Sequence, residues 1–224
     1  MKEFFSILGI CPLLEGIDSS DWDGLLSCLG ATVHSIKKNQ AVFSEGEPAR
    51  YVGIVLEGSV QIEKVDFYGN RSIVAIAHPG ELFGESFACA GAAVMPAAVV
   101  ANTDTRVMLI DCHRITTSCS NACGFHSRLV SNLLKIVAQK NIQLNQKIEI
   151  TAKRTTREKL IAYLLGQAKL HGSNSFTIPF DRQELADYLQ VERSAMSAQI
   201  SKLRQEGLLE SKKNHFRLLR PEVQ

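Results

Sequence analysis

The 224-residue chain has no apolar run long enough to span a bilayer, which argues against a membrane protein. Its first apolar segment, residues 4–14, resembles the apolar part of a secretory signal. However, a single lysine precedes it, an acidic residue stands beside that lysine, and no small-residue cleavage site follows. We therefore predict that this segment is a short helix packed on a domain of a cytoplasmic protein.

Paired metal or redox ligands are also lacking. The six cysteines, at positions 11, 28, 89, 112, 119 and 123, include no Cys-x-x-Cys pair, so in a reducing compartment most should be free, buried thiols. The histidines at 34, 78 and 113 are scattered without a His-x-His pair, whereas a cupin-type enzyme needs clustered ligands. We predict no catalytic residues, no resident metal and no cofactor.

Residues 181–207 form the most informative part of the chain. Asp181 can cap a helix, and Glu184, three residues later, completes a capping-box pattern. Two short apolar stripes follow at helical spacing, separated by a polar turn over residues 190–192. The stripes consist of Leu185, Ala186 and Leu189, and then of Met196, Ile200 and Leu203. This pattern indicates a helix-turn-helix whose second helix enters the major groove of DNA.

The other face of the second helix carries small side chains flanked by longer hydrogen-bond donors. Small residues let a helix backbone approach base edges, while long donors reach bases or phosphates. The predicted DNA-binding residues on this helix are Arg193, Ser194, Ser197, Ala198, Gln199, Ser201 and Lys202. A pair of packed helices with a solvated outer face is the alternative interpretation.

Past Gly207, two short apolar-containing runs flank Lys212, Lys213 and Asn214. This indicates a β-hairpin wing whose two lysines contact DNA phosphates. The charge distribution agrees, because residues 151–224 hold 13 Lys and Arg against 8 Asp and Glu, whereas residues 1–150 hold 12 against 15. We therefore expect double-stranded DNA to bind the basic half of the chain.

The N-terminal half has glycines at positions 46, 58, 69, 80 and 91, with short alternating apolar runs between them. Turn signals at this spacing predict an all-β sandwich or barrel. From about residue 121 a heptad spacing appears in Val130, Leu134, Val137, Asn141, Leu144 and Ile148, and we predict that this seam forms a dimer. A second row, Leu129, Leu133 and Ile136, is expected to face the β domain.

These patterns predict an α+β chain with three parts. Residues 1–119 form an effector-sensing β-roll, residues 120–152 a dimerisation helix, and residues 153–224 a winged helix-turn-helix. Residues 153–156 are the predicted hinge, and residues 176–180 a short strand before the helix pair. A homodimer suits a helix-turn-helix protein, since such proteins usually bind two half-sites one turn apart.

In this order of parts the chain resembles the Crp–Fnr family of bacterial transcription regulators over nearly its whole length. The segment from Gly80 to Glu85 resembles the family's Gly-x-x-x-Gly-Glu phosphate cassette, and residues 46–48 and 58–60 resemble its earlier turns. Residues 183–206 resemble its DNA-binding element, with Arg193 at a position where members contact DNA. The family's frequent Glu and second Arg are replaced by Ser194 and Ala198, which puts its familiar half-site in doubt. The resemblance also leaves room for RNA polymerase as a further partner.

The resemblance further implies a ligand site between the roll and the long helix, lined here by Phe83, Gly84, Glu85, Met95, Pro96, Ala97, Leu144 and Asn145. In members that bind cyclic AMP, an Arg-Ser pair holds the phosphate, and those positions are Met95 and Pro96 in this chain. Since neither side chain can clamp a phosphate, cyclic AMP is disfavoured. The expected effector is another small molecule, apolar or aromatic, as in family branches that sense halogenated phenols. The iron–sulfur and haem branches do not match.

A redox- or metal-responsive regulator is the alternative. Cys119, Cys123 and His126 stand at i, i+4 and i+7, which places them on one face if a helix runs through them. Such a face could hold a soft metal or a regulatory thiol pair. Packing of buried cysteines is the competing explanation.

Overall fold

The computed structural model describes residues 2–117 and 125–219. Its contacts divide the chain into two compact units, Met1–Asn141 and Ile142–Gln224, with the boundary inside one long helix. Within the described residues, no helix combines the length and the apolar character needed to cross a membrane.

The first unit contains two four-stranded antiparallel sheets, with strand orders β1-β8-β3-β6 and β2-β7-β4-β5. The strands are β1 Thr32–Ile36, β2 Ala41–Phe43, β3 Tyr51–Glu57, β4 Val60–Val65, β5 Arg71–Ala77, β6 Leu82–Phe83, β7 Ala98–Ala101 and β8 Thr105–Asp111. The five periodic glycines all have positive φ, between 66° and 87°. They lie outside the strands, as the turn interpretation predicted.

Strand β3 is buried on both of its faces. Val52, Ile54 and Leu56 pack into one apolar cluster with the N-terminal helices, while Val55 points into the cluster between the two sheets. Because side chains alternate along a strand, a nearly continuous apolar run serves two cores. The β1-β8-β3-β6 sheet is therefore the middle layer of the first unit.

Helices cover the outer face of this middle layer. They are α1 Phe5–Leu8, α2 Trp22–Cys28, α3 Glu85–Cys89, α4 Cys112–Thr116 and the 27-residue α5 Phe125–Thr151. In α5, Leu129, Leu133 and Ile136 are 0%, 5% and 6% exposed and belong to the core. The prediction that this row faces the β domain is confirmed.

The second unit is a winged helix-turn-helix. Its elements are α6 Thr156–His171, β9 Ser175–Thr177, α7 Arg182–Leu189, α8 Arg193–Gln205, β10 Leu209–Lys212 and β11 His215–Leu218. The strands form one antiparallel sheet in the order β10-β11-β9. Both the helix pair and the hairpin wing are confirmed.

Local capping explains where the helices of this unit begin. Asp181 Oδ1 accepts from Glu184 N at 2.8 Å, and Glu184 Oε2 accepts from Asp181 N at 2.7 Å, which completes the predicted capping box. Thr155 and Glu158 form a second one at the start of α6. Gln190 ends α7 in the left-handed region, with φ of 55°, and so makes the tight turn into α8.

Two predicted elements differ from the structure. Residues 4–14 form α1 and a separate 3-10 turn, Pro12–Leu14, rather than a single helix, because Pro12 cannot donate a helical hydrogen bond. The predicted strand over residues 176–180 is shorter, since β9 ends at Thr177 and Pro179 lacks the N–H that a continued ladder needs.

Candidate DNA-binding surface and sensor site

Helix α8 has one face in the core and one face in solvent. Met196, Ile200 and Leu203 anchor it and are at most 4% exposed. On the opposite side, the predicted DNA-binding residues that are exposed are Arg193, Ser194, Ala198, Ser201 and Lys202. The short side chains of this face leave the helix backbone accessible, which is the requirement for close approach to base edges.

Two of the predicted DNA-binding residues on α8 are only half-exposed. Ser197 lies at the border of the exposed face, and its carbonyl oxygen accepts from Ser201 Oγ at 3.1 Å. Gln199 follows the buried Met196 by three residues and precedes the buried Leu203 by four, so it borders the buried face of α8. The helix thus sets Gln199 apart from Arg193 and Ser194.

The wing turn presents Lys212 and Lys213 to solvent between β10 and β11. Lys213 has φ of 54°, a left-handed conformation that tightens the turn. Asn214 Nδ2 donates a hydrogen bond to Ile178 O at 3.0 Å and so links the turn to the residue that follows β9. The two lysines are therefore displayed on an anchored hairpin.

A bidentate ion pair that the sequence did not reveal holds α6 against the end of α8. Arg157 Nη2 and Nη1 lie 2.6 and 3.1 Å from Glu206 Oε2 and Oε1. The hydrogen bond from Arg157 lowers the pKa of Glu206, and the same bond raises the pKa of Arg157. Nothing in helical spacing could have paired two residues 49 positions apart.

Aromatic side chains connect α7 to the C-terminal part of α5. Tyr188 lies 4.7 Å from Phe180 and 5.5 Å from Tyr163 between ring centroids, and Lys147 Nζ lies 4.3 Å from the Tyr188 ring centroid. Burial lowers the pKa of Lys147 to about 8, while the ring face favours its charged form. These contacts fix the helix-turn-helix on the end of the long helix.

The predicted effector site begins at the turn between β6 and α3. The Phe83 ring packs against Gly53 of β3, where an added Cβ would lie 2.0 Å from a ring carbon, so only glycine fits at position 53. The next residue, Gly84, has φ of 76° and caps α3. This backbone conformation, costly for other residues, turns Glu85 into the interior, where it is 2% exposed.

Met95 and Ala97 lie in the core between the sheets, at 1% and 2% exposure, and Pro96 is half-buried. The backbone of Met95 forms two hydrogen bonds, to Glu47 O at 2.7 Å and from Gly46 N at 2.9 Å. Met95, which the resemblance places where a phosphate-binding arginine would stand, is thus an apolar side chain packed in the core.

Glu85 is paired with a residue of the long helix. Lys140 Nζ lies 3.0 Å from Glu85 Oε1 and also donates to Leu82 O at 2.5 Å. Ser86 Oγ donates to the same Glu85 oxygen at 3.1 Å. The acid and its cation are 3% and 31% exposed, so the pair is largely shielded from water.

Lys140 was absent from the predicted site, although the sequence held a signal for it. The inward row of α5, Leu129, Leu133 and Ile136, continues by the same spacing to position 140. A lysine in a buried row needs an acid opposite it. Glu85 is such an acid on the roll.

Two family descriptions match the sequence: the cyclic nucleotide-binding domain over residues 33–120 and the Crp-like helix-turn-helix domain over residues 158–223. They coincide with the β-roll and with the winged unit. The chain belongs to the Crp–Fnr family. It is a DNA-binding transcription regulator rather than an enzyme.

Curated Crp–Fnr relatives align with most of the chain. The transcriptional activator protein FnrA of Stutzerimonas stutzeri is 24% identical over 219 residues, which cover 96% of this chain and 86% of the relative. The nitrogen fixation regulation protein FixK of Bradyrhizobium diazoefficiens is 24% identical over 212 residues, which cover 89% of this chain and 81% of the relative. The similarity therefore includes both units.

Solved structures agree with this assignment. FixK2 from Bradyrhizobium japonicum superposes with a TM-score of 0.67 at 25% identity and covers 86% of this chain and 94% of that one. A CooA mutant from Carboxydothermus hydrogenoformans superposes with a TM-score of 0.73 at 18% identity and covers 94% of this chain and 92% of that one. At this identity the similarity shows the fold alone.

The predicted seam of this Crp–Fnr protein is largely exposed in the single chain. Along α5, Val130, Leu134, Leu144 and Ile148 are 42%, 69%, 41% and 63% exposed. Asn141 is also exposed, whereas Val137 is half-buried against the core. Leu144 and Asn145 belong to the second unit, so their predicted place in an effector site of the roll stays a prediction.

Of the residues in the redox or metal alternative, Cys119 and Cys123 lie outside the described residues. His126 is 6% exposed, and its Nε2 lies 3.2 Å from Arg114 O, which is a packing contact between α5 and α4. Across residues 2–117 and 125–219, no three His, Cys, Asp or Glu side chains are grouped as a metal ion would require.

Proposed function

We propose that this Crp–Fnr protein acts as a homodimer on an inverted-repeat DNA site and does not respond to cyclic AMP. The observation that carries the proposal is the α8 surface, where Arg193, Ser194 and Ala198 are exposed opposite an apolar anchor. A helix of this composition suits the major groove, and a basic wing suits the adjoining phosphates.

The exposed row of α5 supports the dimer. Leu134 and Ile148 are each more than half exposed, and a water-facing apolar row at heptad spacing is stable when a second copy covers it. An Asn at a seam position favours one register and one oligomeric state. Asn141 stands at such a position. A two-fold dimer places two recognition helices for two half-sites.

The packing around Glu85 supports an effector other than cyclic AMP. Its carboxylate is held by Lys140, and the arginine position of the phosphate clamp is filled by buried Met95. A phosphate that replaced Glu85 on Lys140 would leave a buried carboxylate without its cation, which is costly. The proposed effector is a small apolar or aromatic molecule.

One relative is named a transcriptional activator, which supports activation of transcription by this protein too, with RNA polymerase as a further partner.

The direct test of the proposed function is selection of DNA from a random pool by the full-length protein. We expect an inverted repeat with half-sites about one helical turn apart. Recovery of no enriched motif, or of a single half-site bound by a monomer, would reject the proposal.

A further inference from the structure

Two cysteines of the first unit meet where α3 ends and α4 begins. Cys89 is the last residue of α3, Cys112 is the first residue of α4, and their Sγ atoms lie 3.1 Å apart. Cys112 is 5% exposed, whereas Cys89 is exposed to solvent. One thiol is therefore reachable from solution and the other is in contact with it.

A cleft of about 390 Å³ opens beside this pair. Its walls carry both apolar and charged groups, among them Arg50, Cys89, Asp111, Cys112, His113 and Thr116. Arg50 Nη2 and Asp111 Oδ2 form an ion pair at 2.7 Å on the rim. A small charged molecule can thus reach the exposed sulfur without unfolding the roll.

We propose that Cys89 and Cys112 form a reversible disulfide by exchange with a low-molecular-weight disulfide such as oxidised glutathione. The Cys89 thiolate attacks one sulfur of the reagent, a mixed disulfide forms, and one glutathione thiolate leaves. Cys112 then loses its proton and attacks Cys89 Sγ, and the second glutathione leaves. Two protein thiols are oxidised, one disulfide is reduced to two thiols, and the protons pass to the leaving sulfurs.

The surroundings of the pair set the rate of this exchange. Burial, the contact with Cys112 and the nearby Glu85 carboxylate raise the pKa of Cys89 to about 12. The reactive thiolate is therefore scarce at neutral pH. At pH values well below this pKa, the rate of attack by Cys89 should rise about tenfold for each unit of pH increase. His113, Arg50 and Asp111 are the other ionisable groups that line the cleft.

The cysteines can be told apart by tryptic peptides. Peptide 72–106 contains Cys89 alone, peptide 107–114 contains Cys112 alone, and peptide 115–128 contains Cys119 and Cys123. Full-length protein is incubated with increasing oxidised glutathione, the remaining thiols are alkylated, and the digest is analysed without reduction. We expect a cross-link between 72–106 and 107–114 that dithiothreitol reverses.

Variants separate the two steps. Cys112→Ala should keep glutathione on Cys89, because the exposed thiol reacts first and then has no resolving partner. Cys89→Ala should abolish both the adduct in peptide 72–106 and the cross-link. Cys28→Ser removes another exposed cysteine, at the end of α2, and should leave the cross-link unchanged.

Three results would overturn the proposal. One is a cross-link that joins 107–114 to 115–128 instead of to 72–106. Another is complete alkylation of Cys89 and Cys112 after prolonged oxidation at pH 9. The third is stoichiometric soft metal in the purified protein that protects both thiols from alkylation. The measurement needs no DNA, so its outcome is independent of the proposed regulatory function.

Discussion

Lys140 Nζ lies 3.0 Å from Glu85 Oε1, so the long helix places a cation on the acid of the predicted effector site. Lys140 also donates to the carbonyl of Leu82, the first residue of β6. The contact joins α5 to the β6–α3 turn through charge as well as through apolar packing. A ligand that required Glu85 Oε1 would have to displace this lysine.

Replacing Lys140 by methionine should destabilise the first unit by about 2–3 kcal/mol, because Glu85 would remain buried without its cation. This is less than the roughly 3–5 kcal/mol of a fully buried pair, since Lys140 is partly solvated. Urea unfolding followed by fluorescence reports on this unit, because Trp22 is the single tryptophan of the chain and is buried there.

Glu85→Gln provides the matched partner of a double-mutant cycle. We expect the double variant to lose less stability than the sum of the two single losses, with a coupling of about 1–2 kcal/mol. If the two single losses in unfolding free energy simply add in the double variant, the 3.0 Å contact between Lys140 and Glu85 does not stabilise the fold.

Cyclic AMP and cyclic GMP should not bind at micromolar concentrations. The phosphate would meet Met95 in place of an arginine, and the nearby cation is already held by Glu85. Isothermal calorimetry with the full-length protein measures this directly. Micromolar binding of either nucleotide, together with tighter DNA binding, would contradict the interpretation.

Periodicity was sufficient to predict much of the fold. The apolar run of β3 and the inward row of α5 reflect which faces of a strand or helix are buried, and the glycines mark the turns between strands. Each of these features leaves a local trace in the sequence. The capping box at Asp181 is local too, since both its hydrogen bonds span three residues. Such features can be predicted from the sequence because the interacting residues are neighbours in the chain.

Contacts between distant residues left no such trace. The Lys140–Glu85, Arg157–Glu206 and Cys89–Cys112 pairs each depend on how separate elements pack. The motif identified Glu85 and the spacing of α5 puts Lys140 in its inward row, but neither pattern shows that the two residues meet. The sequence also placed Gln199 with the DNA-binding face, which stays a prediction, and the structure shows this residue half-exposed at the edge of that face.

Arg193→Ala should weaken specific DNA binding by about 1–3 kcal/mol and relax the preference at one base position if the contact is bidentate to a base. Arg193 is the first residue of α8 and is exposed, so its removal should leave the fold unchanged. Binding to the selected site and to its single-base variants measures both effects. An unchanged base preference with uniformly weaker binding would assign Arg193 to a phosphate instead.

Removing the two wing lysines together, by Lys212→Ala and Lys213→Ala, should weaken binding to all sequences alike. The slope of log K against log salt should become shallower by about 2, because each phosphate contact releases roughly one counterion. Lys38→Ala and Lys64→Ala together remove two exposed lysines of the first unit and serve as the charge-matched control. A salt slope that the wing variant leaves unchanged would place the wing away from DNA.

Leu134→Glu should shift the protein from dimer to monomer. Leu134 is 69% exposed in the single chain, and burial of a leucine on association contributes about 1.5–3 kcal/mol, lost twice in a symmetric dimer. A dimer dissociation constant raised by about a hundredfold or more follows, measured by sedimentation velocity across a concentration series.

The matched control for this substitution is Leu170→Glu. Leu170 is 78% exposed near the end of α6, outside the α5 seam, so the same chemical change there should leave the dimer intact. DNA affinity should fall with Leu134→Glu alone, because separated monomers lose the gain from binding two linked half-sites. If both variants stay dimeric at the same concentrations, the two copies must meet through a surface other than the exposed row of α5.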